Sequence, residues 1–139
     1  MIVADTNLIA YFSIHTEHSA LAEAVCAVDS VWAAPLLWRS EYCATLLKYI
    51  RHAGMNIEAA ISSLRLAEDT VAGREYSVDA RKVLELAYRT KCSAYDCEYV
   101  ALAQDLNTEL VTMDKQVLKT FPDLAVSLEK FAKKKLAGN

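Results

Sequence analysis

The first ten residues, MIVADTNLIA (1–10), bring a carboxylate to the end of a short apolar run. Residues 2–4 have the apolar character of a buried strand, and residues 6–12 have the pattern of a short helix. Asp5 therefore lies at the carboxyl end of a predicted core strand. An acid in this position either caps the following helix or belongs to a functional site, and the rest of the sequence has to decide between these interpretations.

The remainder of the chain alternates predicted strands with predicted helices. Such alternation predicts an α/β fold in three layers, with a mostly parallel sheet flanked by helices. Ligands of such sheets bind beyond the carboxyl ends of the strands, which is where Asp5 lies. The predicted strands cover residues 1–5, 31–35, 70–76, 109–112 and part of 123–128. The predicted helices cover residues 6–12, 17–29, 35–53, 56–69, 78–90, 94–106 and 114–121.

The composition predicts one domain over residues 1–139, with a basic and frayed tail from about residue 129. The chain has 139 residues, of which 54% are hydrophobic, with only 3 glycines and 2 prolines. That is enough apolar material for a full core with few irregular stretches. No apolar run approaches the ~20 residues that span a bilayer, and the first residues lack the basic segment of a signal peptide.

Charge and cysteine usage predict a cytoplasmic protein without a broad basic surface. The formal net charge is −3, which argues against an extensive nucleic-acid footprint but allows a small acidic site that recruits cations. The cysteines form no CxxC pair and have no zinc spacing, so we expect reduced thiols. His15 and His18 have a spacing that could bind zinc on a helix, but no third nitrogen or sulfur ligand is evident, and we expect a surface role. The four cysteines are Cys26, Cys43, Cys92 and Cys97.

Four carboxylates have positions that can be explained by local structure alone. Asp5 and Asp114 precede predicted helices and could cap them. Asp96 follows Ser93 with the spacing of a capping box and faces the positive end of its helix. Glu41 could lie on a solvated helix face. Acids at helix starts are common, so none of these residues indicates a site by itself.

Taken together, the same carboxylates indicate a metal site. Asp5 and Asp114 follow apolar strands, so both can lie at one edge of a parallel sheet. Asp96 opens the helix that leads into the strand at 109–112, and Glu41 has apolar neighbours that suggest partial burial. Buried carboxylates without compensation are costly, so their convergence implies a cation. Oxygen ligands without paired His or Cys favour one or two Mg²⁺ or Mn²⁺ ions, and two such ions commonly serve displacement at phosphorus.

Four segments resemble, in order, the motifs of PIN-domain ribonucleases: IVADTNLI, SEYCATLLKY, SAYDCEYVALA and LVTMDKQVLK. The resemblance extends from Met1 to about Leu128 and is to the VapC-type toxins of bacterial toxin–antitoxin pairs. It implies a PIN-like fold, metal-dependent cleavage of RNA phosphodiesters, a homodimer and a cognate antitoxin protein as partner. It maps the catalytic, metal-binding acids onto Asp5, Glu41, Asp96 and Asp114, with supporting roles for Asn7 and Thr112.

Several further residues are candidates for contacts with substrate or with a second subunit. Tyr95 and Tyr99 could stack on bases, although core packing is the commoner role for a residue such as Tyr99. Cys97 is expected in the core. The helices at 17–29 and 35–53 carry more apolar residues than one buried face requires, which also favours a homodimer; these include Trp38, Tyr42 and Tyr49. Candidate phosphate contacts, for each of which a solvated surface position is the commoner role, are Arg39, Lys48, Arg51, Lys91, Lys115 and Lys119.

Two other functions remain open at this point. One is a PIN-like module that binds a partner without catalysis, which a weak response to Mg²⁺ would reveal. The other is a phospho-receiver domain, also a parallel sheet with acids at strand ends. That class needs an acidic pair at the end of the first strand, whereas Asp5 is single and no acid directly follows VWAAP (31–35).

Overall fold

The computed structural model describes residues 1–134, and a parallel sheet of short strands forms its centre. The strands are β1 (Ile2–Ala4), β2 (Trp32–Pro35), β3 (Glu75–Tyr76), β4 (Leu110–Val111) and β5 (Ala125–Val126). They lie in the order β3-β2-β1-β4-β5, and every neighbouring pair is parallel. Because β1 is central, Val3 pairs with Ala33 on one side and with Leu110 on the other.

Helices connect the strands and pack around the sheet, which confirms the predicted α/β fold with a parallel sheet flanked by helices. In the described residues they are α1 (Thr6–Ser13), α2 (Ser19–Val28), α3 (Trp38–His52), α4 (Ile57–Val71), α5 (Ala80–Arg89), α6 (Ala94–Asp105), α7 (Lys115–Thr120) and α8 (Leu128–Ala132). None of these helices combines the length and the apolar character that a membrane crossing requires.

The stretch predicted as a strand over residues 70–76 is mostly not a strand. Helix α4 continues to Val71, because Ala67 and Val71 extend its buried face and are fully buried. Gly73 then turns the chain with a φ of 79°, a conformation that glycine adopts without steric cost. Only Glu75–Tyr76 pairs with β2.

Helix α3 begins later than the predicted start at residue 35. Pro35 is the last residue of β2 and pairs with Tyr76 of β3. The proline therefore closes a strand, and a turn at 36–37 separates it from Trp38, the first residue of α3.

The predicted basic tail from about residue 129 begins inside a helix. Leu128 and Phe131 of α8 are buried, and α8 packs against α2. These two apolar side chains are three positions apart, so they lie on one side of the short helix and provide its buried face. Residues 135–139 of the predicted tail lie outside the described part of the chain.

Two of the aromatic residues predicted to mark a subunit interface belong to the core instead. Trp38 and Tyr42 are fully buried, and their rings meet edge to face with centroids 5.6 Å apart. Tyr49 is only partly buried and packs against the core. The apolar excess of α3 is therefore used largely within the chain, and the interface argument from Trp38 and Tyr42 was wrong.

Candidate active site

A single cleft lies beyond the carboxyl end of the central strand, and all four predicted carboxylates line it. Asp5 follows β1, Glu41 lies in the first turn of α3, Asp96 lies in the first turn of α6, and Asp114 precedes α7. The cleft has a volume of about 490 Å³. Residues that are widely separated in the sequence thus meet at one edge of the sheet, as the topology of a parallel sheet requires.

Asp5 is held at this edge by the backbone of the neighbouring strand. Its N–H donates to the carbonyl of Val111 at 3.1 Å. Its carboxylate accepts hydrogen bonds from the Thr6 N–H at 2.7 Å and from the Thr112 hydroxyl at 2.5 Å. Burial nevertheless raises the pKa of Asp5 to about 7, and the negative charges of Glu41 and Asp96 act in the same direction.

Thr112 and Asn7, the predicted supporting residues, join Asp5 to the loop that carries Asp114. The fully buried Thr112 hydroxyl donates to Asp5 and accepts from the Asp114 N–H at 3.0 Å. The Asn7 amide group makes longer contacts, at 3.5 Å to Asp5 and 3.4 Å to Thr112, and its oxygen accepts from the Met113 N–H at 3.3 Å. The start of α1 and the β4–α7 loop are therefore fixed relative to each other.

Glu41 is oriented by two buried hydroxyl groups from other helices. Tyr99 of α6 donates to Glu41 Oε1 at 2.6 Å, and Thr6 of α1 donates to the same oxygen at 3.1 Å. The two hydroxyls also contact each other, and both side chains are buried. Because both bonds end on Oε1, Glu41 Oε2 has no hydrogen-bond partner within residues 1–134 and remains available to the cleft.

The capping interpretation also holds for several of these residues. Asp5 is the N-cap of α1, and Asp114 is the N-cap of α7, where its Oδ1 accepts from the Val117 N–H at 3.0 Å. Ser93 caps α6 by accepting from the Asp96 N–H. Burial and the nearby charge of Asp114 raise the pKa of Asp96, although hydrogen bonds with Ser93 oppose this shift. The two interpretations are therefore compatible.

Comparison with known families gives one match that covers most of the chain. The model of the PIN domain matches residues 2–124. The chain belongs to the PIN-domain family. PIN domains are generally nuclease modules and typically depend on a divalent metal. This membership argues against the phospho-receiver alternative.

A solved structure supports the PIN-domain fold. The crystal structure of PAE2754 from Pyrobaculum aerophilum is similar to this PIN domain with a TM-score of 0.77 and 19% sequence identity. The similarity covers 99% of this chain and 90% of that chain. At this level of identity the similarity concerns the fold alone. No curated protein matches the sequence.

The chemistry of the cleft fits a hard divalent cation that is only partly held by protein. All four acids supply oxygen, and burial of negative charge at Asp5 and Asp96 would be relieved by a cation. Within residues 1–134, no three His, Cys, Asp or Glu side chains are close enough together to hold an ion by themselves. Mg²⁺ suits such a set, because it commonly keeps several waters and uses one or two carboxylates together with substrate phosphates.

The other residues singled out in the sequence have mixed outcomes. Lys48 lines the cleft and is the only one of the six candidate phosphate contacts to do so within residues 1–134. Arg39 is bound to Glu68 at 2.5 Å and to Glu75 at 2.8 Å. His18 packs on the Tyr11 ring at 4.6 Å between centroids. As expected, Cys97 and Tyr99 are buried.

Sequence reasoning missed several contributors to the cleft, among them Thr6, whose hydroxyl donates to Glu41. The Tyr99 hydroxyl was not assigned to Glu41, from which it is separated by 58 positions in the sequence. Tyr11 and Tyr49 also line the cleft. The helical spacing of Glu41, Thr45, Lys48 and Tyr49 could have indicated that these α3 residues share the face of the acid.

Proposed function

We propose that this PIN domain is a metal-dependent endoribonuclease that cleaves RNA phosphodiester bonds in the cytoplasm, and that it is the toxin of a VapBC-type pair. One observation carries the nuclease proposal: four carboxylates from four separate parts of the chain line one cleft at the carboxyl edge of the sheet. The ordered resemblance to VapC-type toxins supports the narrower assignment and implies a cognate antitoxin as partner.

In this proposal Asp5, Glu41, Asp96 and Asp114 hold one or two Mg²⁺ or Mn²⁺ ions. A bound ion of this kind lowers the pKa of water and offsets the charge that develops on the phosphate. The carboxylates must be ionised to bind it, and Asp5, with a pKa of about 7, releases part of a proton when the cation binds at neutral pH.

The remaining residues of the cleft fix the positions of these acids. Thr112 and Asn7 orient Asp5 through the contacts described above, and Tyr99 and Thr6 orient Glu41 with one oxygen left for the cleft. Thr6, Asn7 and Tyr99 lie on helices packed into the core, and Thr112 directly follows β4. The acids are therefore held by rigid parts of the fold. Such partners of metal-binding side chains commonly affect metal affinity.

The test is cleavage of a single-stranded RNA by the purified protein. We expect cleavage with Mg²⁺ or Mn²⁺, none after exhaustive chelation by EDTA, and recovery when the metal is restored. Asp5→Asn and Asp96→Asn should be inactive, whereas Asp123→Asn, at an exposed acid outside the cleft, should cleave like the wild type. Cleavage that survives chelation, or persists in both cleft variants, would overturn the proposal.

A second candidate is a PIN-like module that binds a partner without catalysis. The observation that favours it is the spacing of the acids, of which no three within residues 1–134 are close enough to hold an ion. Calorimetric titration with Mg²⁺ separates the candidates: the nuclease should bind Mg²⁺ in a manner that Asp96→Asn weakens, and the binding module should not.

We also propose that the protein forms a homodimer. The support comes from exposed apolar side chains on α3 and α4 rather than from the aromatic residues that turned out to be buried. Leu47, Ile57 and Ile61 are respectively 39%, 56% and 42% exposed, and they border an apolar groove between the two helices. Contiguous apolar surface of this kind commonly marks an interface.

A further inference from the structure

The face of α3 that carries Glu41 continues away from the acids toward the end of the helix. Glu41, Thr45, Lys48 and His52 are separated by four, three and four positions, so they lie on one side of the helix. With a rise of about 1.5 Å per residue, this side extends roughly 16 Å from Glu41 to His52. It begins at Glu41 in the cleft and ends at His52, with Lys48 and Tyr49 close to that end.

A second concave surface continues from the acidic cleft along this face. It has a volume of about 470 Å³ and is lined by Lys48, Tyr49, His52 and Ala53. Lys48 and Tyr49 line the acidic cleft as well, so the two surfaces are joined. A chain whose reacting phosphate lies among the acids can therefore continue over Lys48 and Tyr49.

The residues at this junction have the chemistry of a nucleotide contact. Lys48 is exposed, makes no ion pair with another residue of 1–134, and is the only lysine or arginine of that range that lines the cleft. Lysine supplies a positive charge for a phosphate without selecting a base. Tyr49 is partly buried, and a tyrosine held by packing is a suitable surface for stacking of a base.

We propose that Lys48 and Tyr49 form a subsite for an unpaired nucleotide adjacent to the phosphate that is cleaved. Lys48 contacts the phosphate of this nucleotide, and Tyr49 stacks on its base. The nucleotide is unpaired because bases within a duplex are covered on both faces by their neighbours. The subsite rests on the proposed nuclease function and deepens it, since it names two residues next to the acids that would contact single-stranded RNA.

The first experiment measures binding without cleavage. A fluorescently labelled single-stranded RNA is titrated with the Asp96→Asn protein in Mg²⁺, and Kd is obtained from anisotropy at several salt concentrations. Lys48→Ala should weaken binding and reduce the slope of log Kd against log salt by about 0.7, the value for one phosphate contact in a single strand. Lys48→Arg should keep the slope, and Lys130→Ala, at an exposed lysine outside both surfaces, should bind like the parent.

The second experiment tests the stacking partner. Tyr49→Leu should raise Kd for single-stranded RNA between about 5-fold and about 150-fold, the range expected for loss of one stacked base. Tyr49→Phe keeps the ring and should bind like the parent, as should Tyr88→Leu on α5, whose side chain is 89% exposed. When the same RNA is annealed to its complement, Tyr49→Leu and the parent should bind it equally.

Cleavage by variants with intact acids separates failure of the subsite from failure of the nuclease proposal. Lys48→Ala and Tyr49→Leu should raise KM with little change in kcat. If the wild type cleaves and binds RNA while these variants match Lys130→Ala and Tyr88→Leu, only the subsite is refuted. If the wild type neither cleaves nor binds RNA, the proposed function itself fails. Should Tyr49→Leu prove unfolded by its melting curve, the salt slope of Lys48→Ala still decides, because Lys48 is exposed.

Discussion

In the absence of metal, this protein should become more stable when the pH is lowered from about 8 to about 5.5, and Asp5 should be the main cause. Burial raises the pKa of Asp5 to about 7 in the folded chain, against an ordinary value of 3.8. Between these two values the folded state holds a proton that the unfolded state has released. The stability contributed by this proton is full below the unfolded pKa and is lost as the pH rises through the folded pKa.

The size of the effect follows from the two pKa values. One pKa unit corresponds to about 1.4 kcal/mol, so the ionised Asp5 costs roughly 4 kcal/mol at pH 8. At pH 5.5 the folded side chain is protonated and the remaining cost is roughly 2 kcal/mol. The free energy of unfolding should therefore rise by about 2 kcal/mol over this interval, before general acid unfolding begins.

The assay is urea unfolding in EDTA, followed by the fluorescence of the fully buried Trp32 and Trp38. Asp5→Asn removes the charge and retains an oxygen that can accept from the Thr6 N–H. It should be more stable than the wild type at pH 8, even after a loss of about 1 kcal/mol for the Thr112 hydrogen bond. Its stability should also depend less on pH.

The comparison with Asp5→Asn isolates Asp5 from other groups that titrate in this interval. The three histidines are common to both proteins, so their effect cancels in the difference between the two pH profiles. Asp123→Asn, at an exposed acid outside the cleft, should follow the wild type. The reasoning is refuted if the wild type loses stability on this acidification relative to Asp5→Asn, or if the two proteins show the same pH dependence.

Three further predictions test other parts of the structure. Tyr99→Phe should weaken Mg²⁺ binding about 10-fold or more in calorimetry, because Glu41 loses its shorter hydrogen bond, while an unchanged affinity would remove Tyr99 from the site. Asp96→Asn should melt at a higher temperature than the wild type in EDTA and gain less from Mg²⁺, whereas loss of the cap in Ser93→Ala should cost about 1 kcal/mol with or without metal. Sedimentation at tens of micromolar should show a dimer, and a monomer at that concentration would contradict the homodimer proposal.

The convergence of the acids could be predicted from the sequence because it depends on topology. Asp5 and Asp114 each follow a short apolar run, and parallel strands end at the same edge of a sheet. The contribution of Tyr99 could not be predicted in the same way. The sequence predicts that Tyr99 is buried, but its contact with Glu41 depends on how α3 and α6 approach each other. That approach is fixed by packing and leaves no local pattern.

The wrong predictions have a related cause. When α3 is considered alone, Trp38 and Tyr42 exceed the number of apolar residues that one buried face requires. In the folded chain, however, neighbouring elements surround the helix and both residues are fully buried. The composition of residues 70–76 does not show that Val71 is needed to cover the core, so the sequence alone predicts a strand where α4 continues to Val71. In both cases, elements that are distant in the sequence determine which side chains are buried.

In the proposed function, capping and cation binding fall to the same side chains because of where the helices begin. A helix that follows a parallel strand starts at the carboxyl edge of the sheet, so its first N–H groups point toward the space where ligands bind. In Asp114, one carboxylate oxygen caps α7; in Glu41, one oxygen accepts from Tyr99 and Thr6. Each side chain is thereby held in one orientation while its second oxygen has no partner within residues 1–134. The cleft then presents four acids against one lysine, and this excess of negative charge outweighs the positive ends of short helices and favours a cation. A variant that removes only the cap should therefore destabilise the protein equally with and without Mg²⁺, whereas a variant that removes a cleft carboxylate should change the response to Mg²⁺ itself.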